Sequence, residues 1–296
     1  LRYEHVAFDY YQEDIHQDEQ SKKYDNFFPS LSVSTSYGKV QMQLGYAQDI
    51  SRPSFNSLRS HVYYANHYTY ETGNPFLQPS ITHNVNLMGV YKWWKLTASY
   101  QRREDDIAST TVPYSEDNPN IVLFKPINVS SYDLAYVQLS ATPTIAWWSP
   151  RFTLSAQKQW FETETPSGLM NLNRPQFYFR WQNTMKLPAG FLFNLNGSWQ
   201  STYDSRHTRS DKVSWRIDTS LQKNLFNDRF TLQVNGYDIF LTQRSSWMGY
   251  QGENYTSKRV AEPNTRSVSF TVRYRFNQAR NKYKGTGAGE SQKDRL

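Results

Sequence analysis

The 296-residue sequence has no cysteine, which excludes a disulfide framework and a thiolate metal site. No apolar run reaches the roughly 18 residues that a transmembrane helix needs. The chain opens on "LRYEHVAFDY", without Met or a signal peptide and already alternating like a strand; this predicts a fragment whose export signal lies upstream. Helical periodicity is nowhere convincing. No G-x-S-x-G element, phosphate loop or dinucleotide fingerprint occurs. The six histidines (His5, His16, His61, His67, His83 and His207) form no H-x-x-x-H pair, so no metal and no cofactor are expected. His61, His67 and Glu71 share one long loop, where they read as polar loop residues. The carboxylates of "REDD" (Arg103–Asp106) and "FETET" (Phe161–Thr165) sit at loop mouths, a common place for acids, and no catalysis is expected from them.

What the chain has is aromatic mass in a polar context. Aromatics make up 16% of it, with 22 Tyr and 9 Trp, yet the mean hydropathy is −0.79 and the net charge +7. A large barrel reconciles these values, because only one face of each strand meets lipid while the lumen and loops stay polar. The basic residues run the whole length and recur in the tail "RNKYKGTGAGESQKDRL" (Arg280–Leu296). With no RNA-reading or helix-turn-helix signature beside it, the tail reads as a solvated, flexible extension and no nucleic-acid partner is expected.

Alternation with a period of two is the dominant pattern. In "SVSFTVRYRF" (Ser267–Phe276), Val268, Phe270, Val272, Tyr274 and Phe276 share one face; Arg273 and Arg275 lie on the other. "KVQMQLGYAQ" sets Val40, Met42, Leu44 and Tyr46 against Gln41, Gln43, Gly45 and Ala47, and "FLFNLNGSWQ" and "VSWRIDTSLQ" repeat the scheme. The pattern predicts about twelve strands, near 1–11, 26–36, 39–49, 80–91, 95–106, 120–145, 151–162, 175–187, 190–204, 210–224, 229–243 and 264–277. Short connections at Tyr37-Gly38, Lys92–Trp94, Trp148–Pro150, Pro188–Gly190 and Phe226–Asp228 alternate with long ones at 12–25, 50–79, 107–119, 163–174 and 244–263. Tight turns at one end and long loops at the other are the habit of outer-membrane barrels. Tryptophan agrees: Trp93, Trp94, Trp147 and Trp148 fall at short turns, while Trp160, Trp199 and Trp215 fall toward the long loops, two belts suited to membrane interfaces. The competing reading makes these Trp the core of a soluble sandwich. The expected fold is all-β: an antiparallel transmembrane β-barrel.

The stretch Ser51–Leu87 resembles the hallmark of TonB-dependent receptor-like outer-membrane β-barrels. Arg52 and Pro53 match its Arg-Pro element; Gly73, Asn74, Pro75, Leu77 and Pro79 match its Gly-Asn-Pro-x-Leu-x-Pro element, followed by the strand start "SITHNVNL". "GYDIF" (Gly236–Phe240) and a last strand closing on "YRFN" are similar to the family's ending, where Phe270, Val272, Tyr274 and Phe276 would carry the C-terminal signal read by the barrel assembly machinery. The two prolines cannot donate ladder hydrogen bonds and Gly73-Asn74 favours a turn, so the motif reads as structural.

The resemblance implies a barrel of about 22 strands closed by a plug, of which residues 1–277 would be the C-terminal half and 278–296 a polar, basic periplasmic tail. It also implies a Gram-negative outer-membrane location with long loops outside, lipid around the wall, and an upstream plug and TonB system as partners. The expected function is a receptor or transporter wall that binds and imports a bulky nutrient. The Tyr-rich loop is the candidate contact, through His61, Tyr63, Tyr64, His67, Tyr68 and Tyr70. Packing of that loop on its neighbours explains the same residues equally well. The competing functions are a stand-alone twelve-strand porin or surface-binding barrel, and a soluble β-rich carbohydrate-binding module.

Overall fold

The computed structural model describes residues 1–12, 15–115, 121–165, 167–250 and 256–276. The expected tail at 278–296 lies outside the described residues, as does Asn277. The wall is built from β1 (Arg2–Phe8), β2 (Lys22–Phe28), β3 (Ser30–Tyr37), β4 (Val40–Ser51), β5 (Ser80–Tyr91), β6 (Trp94–Pro113) and β7 (Val122–Ala141). It continues with β8 (Trp148–Trp160), β9 (Gln176–Leu187), β10 (Phe191–Gln200), β11 (Ser214–Leu225), β12 (Phe230–Tyr237) and β13 (Ser267–Tyr274). From β3 to β13 each strand pairs antiparallel with its neighbours in sequence, an up-and-down meander, while β1 pairs with β2. Pro29 separates β2 from β3 because it has no N–H to give a ladder, yet its carbonyl still accepts from the Gln48 N–H at 3.1 Å. Taken as one strand bent at Pro29, β2 and β3 bring the wall to the expected number of strands.

Register sorts the side chains into two continuous faces, since residues directly paired across strands share a side. One face runs Val33, Leu44, Leu87, Ala98, Val137, Ala156 and Phe177 across successive strands. Farther along it runs Met185, Phe193, Leu221, Val234 and Phe270. The other face carries the polar ladder Thr184, Asn194, Ser220, Asn235 and Ser269. There the Thr184 hydroxyl donates to Asn194 at 2.8 Å, the Asn194 amide to Ser220 at 3.0 Å and the Asn235 amide to Ser269 at 3.1 Å. The apolar face is uncovered: Val33 is 54% exposed, Leu44 52%, Leu154 55% and Phe270 65%. A soluble sheet buries such a face; this one leaves it outward.

The long connections are more ordered than expected. β6 and β7 stay paired from Trp94 with Ala141 out to Pro113 with Val122, so most of the expected loop at 107–119 is a tall hairpin. Residues 163–174 include the hairpin Glu162–Thr165 with Gly168–Asn171, and 244–263 includes Ser245–Tyr250 with Thr256–Ala261. Tyr203–Ser205 and Thr208–Ser210 join the latter in a four-stranded sheet. These segments lack the apolar alternation of the wall because neither face meets a continuous apolar phase, and that is why the periodicity misses them. Four of the five short turns match their expected places, closed by left-handed residues such as Gly38, Lys92 and Phe226–Asp228. The exception is Trp148–Pro150, which already belongs to β8 in register with Met185, Thr184 and Asn183; the turn falls instead at Ala146-Trp147, where Ala146 takes the left-handed φ of +46°.

Candidate functional site

The Arg-Pro and Gly-Asn-Pro elements meet at the long-loop end. After β4 the chain makes a short helix, α1 (Phe55–Leu58), whose Ser54 cap accepts from the Ser57 N–H at 3.2 Å. Gly73 passes so close beneath it that a Cβ there would stand 2.5 Å from the Arg59 carbonyl oxygen and 2.7 Å from that of Ser57. The Asn74 N–H donates to the Ser57 carbonyl at 2.6 Å and its side-chain amide to the Pro126 carbonyl at 3.1 Å. Leu77 is buried to 1% exposure, and Ser80 then opens β5 with its hydroxyl on the Glu104 carbonyl at 3.0 Å. Asn128 completes the latch: its amide donates to the Gln78 and Asp105 carbonyls at 2.9 and 2.8 Å, and its oxygen accepts from the Gln78 N–H at 2.8 Å. Arg52 reaches the other way, to Glu4 on β1 at 2.7 Å. The motif fastens the loop to β1, β6 and β7.

The Tyr-rich loop folds as a hairpin, Tyr63–Asn66 with Thr69–Glu71, and its second strand adds in parallel to the top of β7. Tyr70 stacks on Tyr114 at 4.3 Å between centroids, and Tyr64 meets Tyr70 and His67 edge-on. Tyr63, Tyr64 and Tyr68 remain exposed, as do His61 and His67. Glu71 lies 4.0 Å from Arg59, and no group of three metal-ligating side chains occurs among the described residues.

Beside it a satellite core forms from Tyr132, Phe161, Leu172 and Tyr250. Of the acids in "REDD" and "FETET", Asp106 has structural partners there, while Glu162 and Glu164 are exposed. Asp106 is buried between Arg103 at 3.2 Å and Arg206 at 3.9 Å, and both guanidiniums also lie near the Tyr132 ring. His207 packs edge-on to Phe161; burial first, and then the neighbouring Arg206 charge, push its pKa down, with Asp106 opposing. Sequence reading missed a second buried acid, Asp238, in "GYDIF". Its carboxylate accepts from the Thr242 N–H at 3.0 Å, the Gln243 N–H at 3.2 Å and the Thr265 hydroxyl. No short-range turn pattern announces it, since its donors lie four, five and 27 residues on.

At the short-turn end Trp93 and Trp94 pack at 4.6 Å, Trp147 is exposed, and the Trp148 indole donates to Asn183 at 3.1 Å. That bond, with the Asn183 amide on the Leu195 carbonyl at 3.0 Å, satisfies a polar side chain set on the apolar face. At the opposite end Trp199 and Trp215 are direct cross-strand partners, and Trp160 ends β8. Trp181 lies between the belts, folded across Gly197 so closely that a Cβ would be 2.1 Å from its ring. Trp148 and Trp160 bound β8; their separation is roughly 40 Å along the strand, which a tilt of about 40° reduces to about 30 Å, the hydrocarbon thickness of a bilayer. In β13 the faces are as expected: Phe270 pairs with Val234 and Val272 with Leu232, while Arg273 pairs with Thr231 on the polar side. Tyr274 stacks toward Phe276 at 6.0 Å.

Solved structures with similar walls include larger receptors. The siderophore receptor PirA from Pseudomonas aeruginosa has a TM-score of 0.55 at 11% identity, over 75% of this chain and 41% of that one. A variant of the ferric enterobactin receptor PfeA from Pseudomonas aeruginosa in complex with enterobactin has 0.56 at 13%, over 87% and 41%. The siderophore receptor PirA from Acinetobacter baumannii has 0.52 at 10%, over 85% and 41%. At such identities the likeness is one of fold, and the chain spans about two fifths of these receptors' length. No curated protein matches the sequence. The model of the outer membrane protein beta-barrel family matches residues 1–274. That match joins the outward apolar face, the polar inner face and the two aromatic belts in one account: the chain belongs to the outer membrane protein beta-barrel family and resides in the outer membrane.

Proposed function

We propose that this chain is the C-terminal half of the wall, with its long loops, of an outer-membrane receptor that captures a bulky nutrient and admits it through the lumen. The observation that carries the reading is the likeness of the wall to siderophore-receptor barrels across most of this chain. Supporting it, the long-loop end offers exposed Tyr63, Tyr64 and Tyr68 with His61 and His67, on a hairpin held by Tyr70 and the Gly73-Asn74 latch. Rigid, amphipathic tyrosines suit capture of a ligand with mixed polarity. In this reading the long loops are extracellular, and the short turns and the tail at 278–296 are periplasmic. The assembly machinery would read Phe270, Val272, Tyr274 and Phe276. A plug and a TonB-contacting segment would supply closure and energy, and no residue of the wall performs chemistry.

The size of the native protein tests the reading. On gels run with and without heating, outer-membrane fractions probed with an antibody to this chain should show a heat-modifiable band. Its mass should be roughly twice the chain's own or more, as a plugged barrel of about 22 strands requires. A heat-modifiable band near 34.9 kDa would instead identify a stand-alone twelve-strand porin or binding barrel.

A further inference from the structure

A cavity of about 380 Å³ lies between the N-terminal strands and the latch, within the range of small-molecule pockets. Val6 and Phe8 of β1, Pro53, Leu58 of α1 and Leu77 give it apolar walls, and Phe55 at its rim lies tilted against Phe8 at 6.4 Å between centroids. Its polar lining is sparse and unevenly satisfied. Arg52 is held by Glu4 at 2.7 Å. The Lys22 ammonium donates to the Phe76 and Leu77 carbonyls at 3.1 and 3.2 Å, which occupies two of its three protons. Among the described residues no carboxylate lies within ion-pair distance of Lys22. The side-chain oxygen of Gln20, also in the lining, is buried and receives no donor from the described residues. A buried acceptor left without a donor is costly, so an occupant that can donate a hydrogen bond is favoured there.

We propose that this cavity is a binding site for a small hydroxylated aromatic carboxylate, or for such a group at the end of a larger ligand. The ring lies against Phe8 and Phe55, the carboxylate takes the free proton of Lys22, and the hydroxyl donates to Gln20. The match is one of charge and of donor count: an ammonium with a proton to give, a buried acceptor and apolar walls. The site does not depend on the import reading, because a barrel that transports nothing would hold the same cavity.

The test is titration calorimetry on the full-length protein in lipid nanodiscs, with 4-hydroxybenzoate as probe and benzoate and phenol as controls. Wild type should bind 4-hydroxybenzoate about tenfold (1.4 kcal/mol) more tightly than either control. Val6→Trp, which fills the cavity, should abolish binding. Lys22→Met should erase the preference for 4-hydroxybenzoate over phenol, with gel heat-modifiability retained in both variants. Absence of binding in wild type, equal affinity for phenol, or undiminished binding to Val6→Trp would each overturn the proposal and leave a cavity that only water fills.

Discussion

Asp238 has a disproportionate influence for one side chain. It is fully buried in a turn where its own φ is +41°, and it gathers donors from Thr242, Gln243 and Thr265. Burial raises its pKa, but these donors outweigh burial and hold the carboxyl below the usual aspartate value. A depressed folded pKa means that the unfolded loop binds the proton more readily. The stabilisation is therefore complete above the ordinary aspartate pKa and is lost as pH falls through the folded value. Acid should loosen the segment from Asp238 to Thr265 in wild type, read as faster cleavage by an acid-active protease added outside. Asp238→Asn should be loose already at neutral pH and show no further acid step; a matching acid step in the variant would refute the assignment. Gly73 makes a complementary case, because its requirement is space. Gly73→Ala drives a methyl into the Arg59 and Ser57 carbonyls and should cost about 1–3 kcal/mol. The readout is increased protease nicking of the loop after β4 with the barrel's gel mobility unchanged.

At the scale of elements, β13 states the rule of the wall most simply, since every second residue is apolar and the register places those residues beside Leu232, Val234 and Phe230. Val272→Arg puts a charge on the lipid face and should cost on the order of 1–4 kcal/mol, depending on depth. Thr271→Arg, one residue away, should cost far less because that side chain points into the polar interior beside Gln233. Urea titration of folding into lipid vesicles separates the two; equal costs would mean that the faces are misassigned. This period-two contrast is why the wall strands and their turns were legible in the sequence. The outer hairpins were not, since Ile107, Thr110, Thr111 and Val112 favour extension without alternating against a single apolar phase. The latch was legible only as a motif. Its partners Asn128, Glu104 and Pro126 lie on β6 and β7, far along the chain from Gly73, and no local pattern announces them. Lys22 and Leu77 meet across 55 positions for the same reason.

For the molecule as a whole, the arrangement inverts that of a water-soluble protein. The largest apolar surface is outward, the inward face is amide- and hydroxyl-rich, and the buried apolar cluster at the long-loop end holds few residues. In water this would aggregate; in a bilayer about 30 Å thick it is the stable arrangement, with Trp belts at both edges and cations such as Lys223 set over Phe191 at 4.7 Å. The claim is directly measurable by thiol labelling, because this chain contributes no cysteine of its own and the unsubstituted full protein serves as the blank. Single cysteines placed from Val268 to Tyr274 in the full protein, in outer membranes, should react with a membrane-impermeant maleimide in alternation. Positions 269, 271 and 273 should label once the lumen is opened to solvent with urea that leaves the barrel folded. Positions 268, 270, 272 and 274 should resist it and label only with a lipid-soluble reagent. Uniform labelling along the strand, or the opposite phase, would contradict the account of this wall as the lipid-facing side of an outer-membrane barrel.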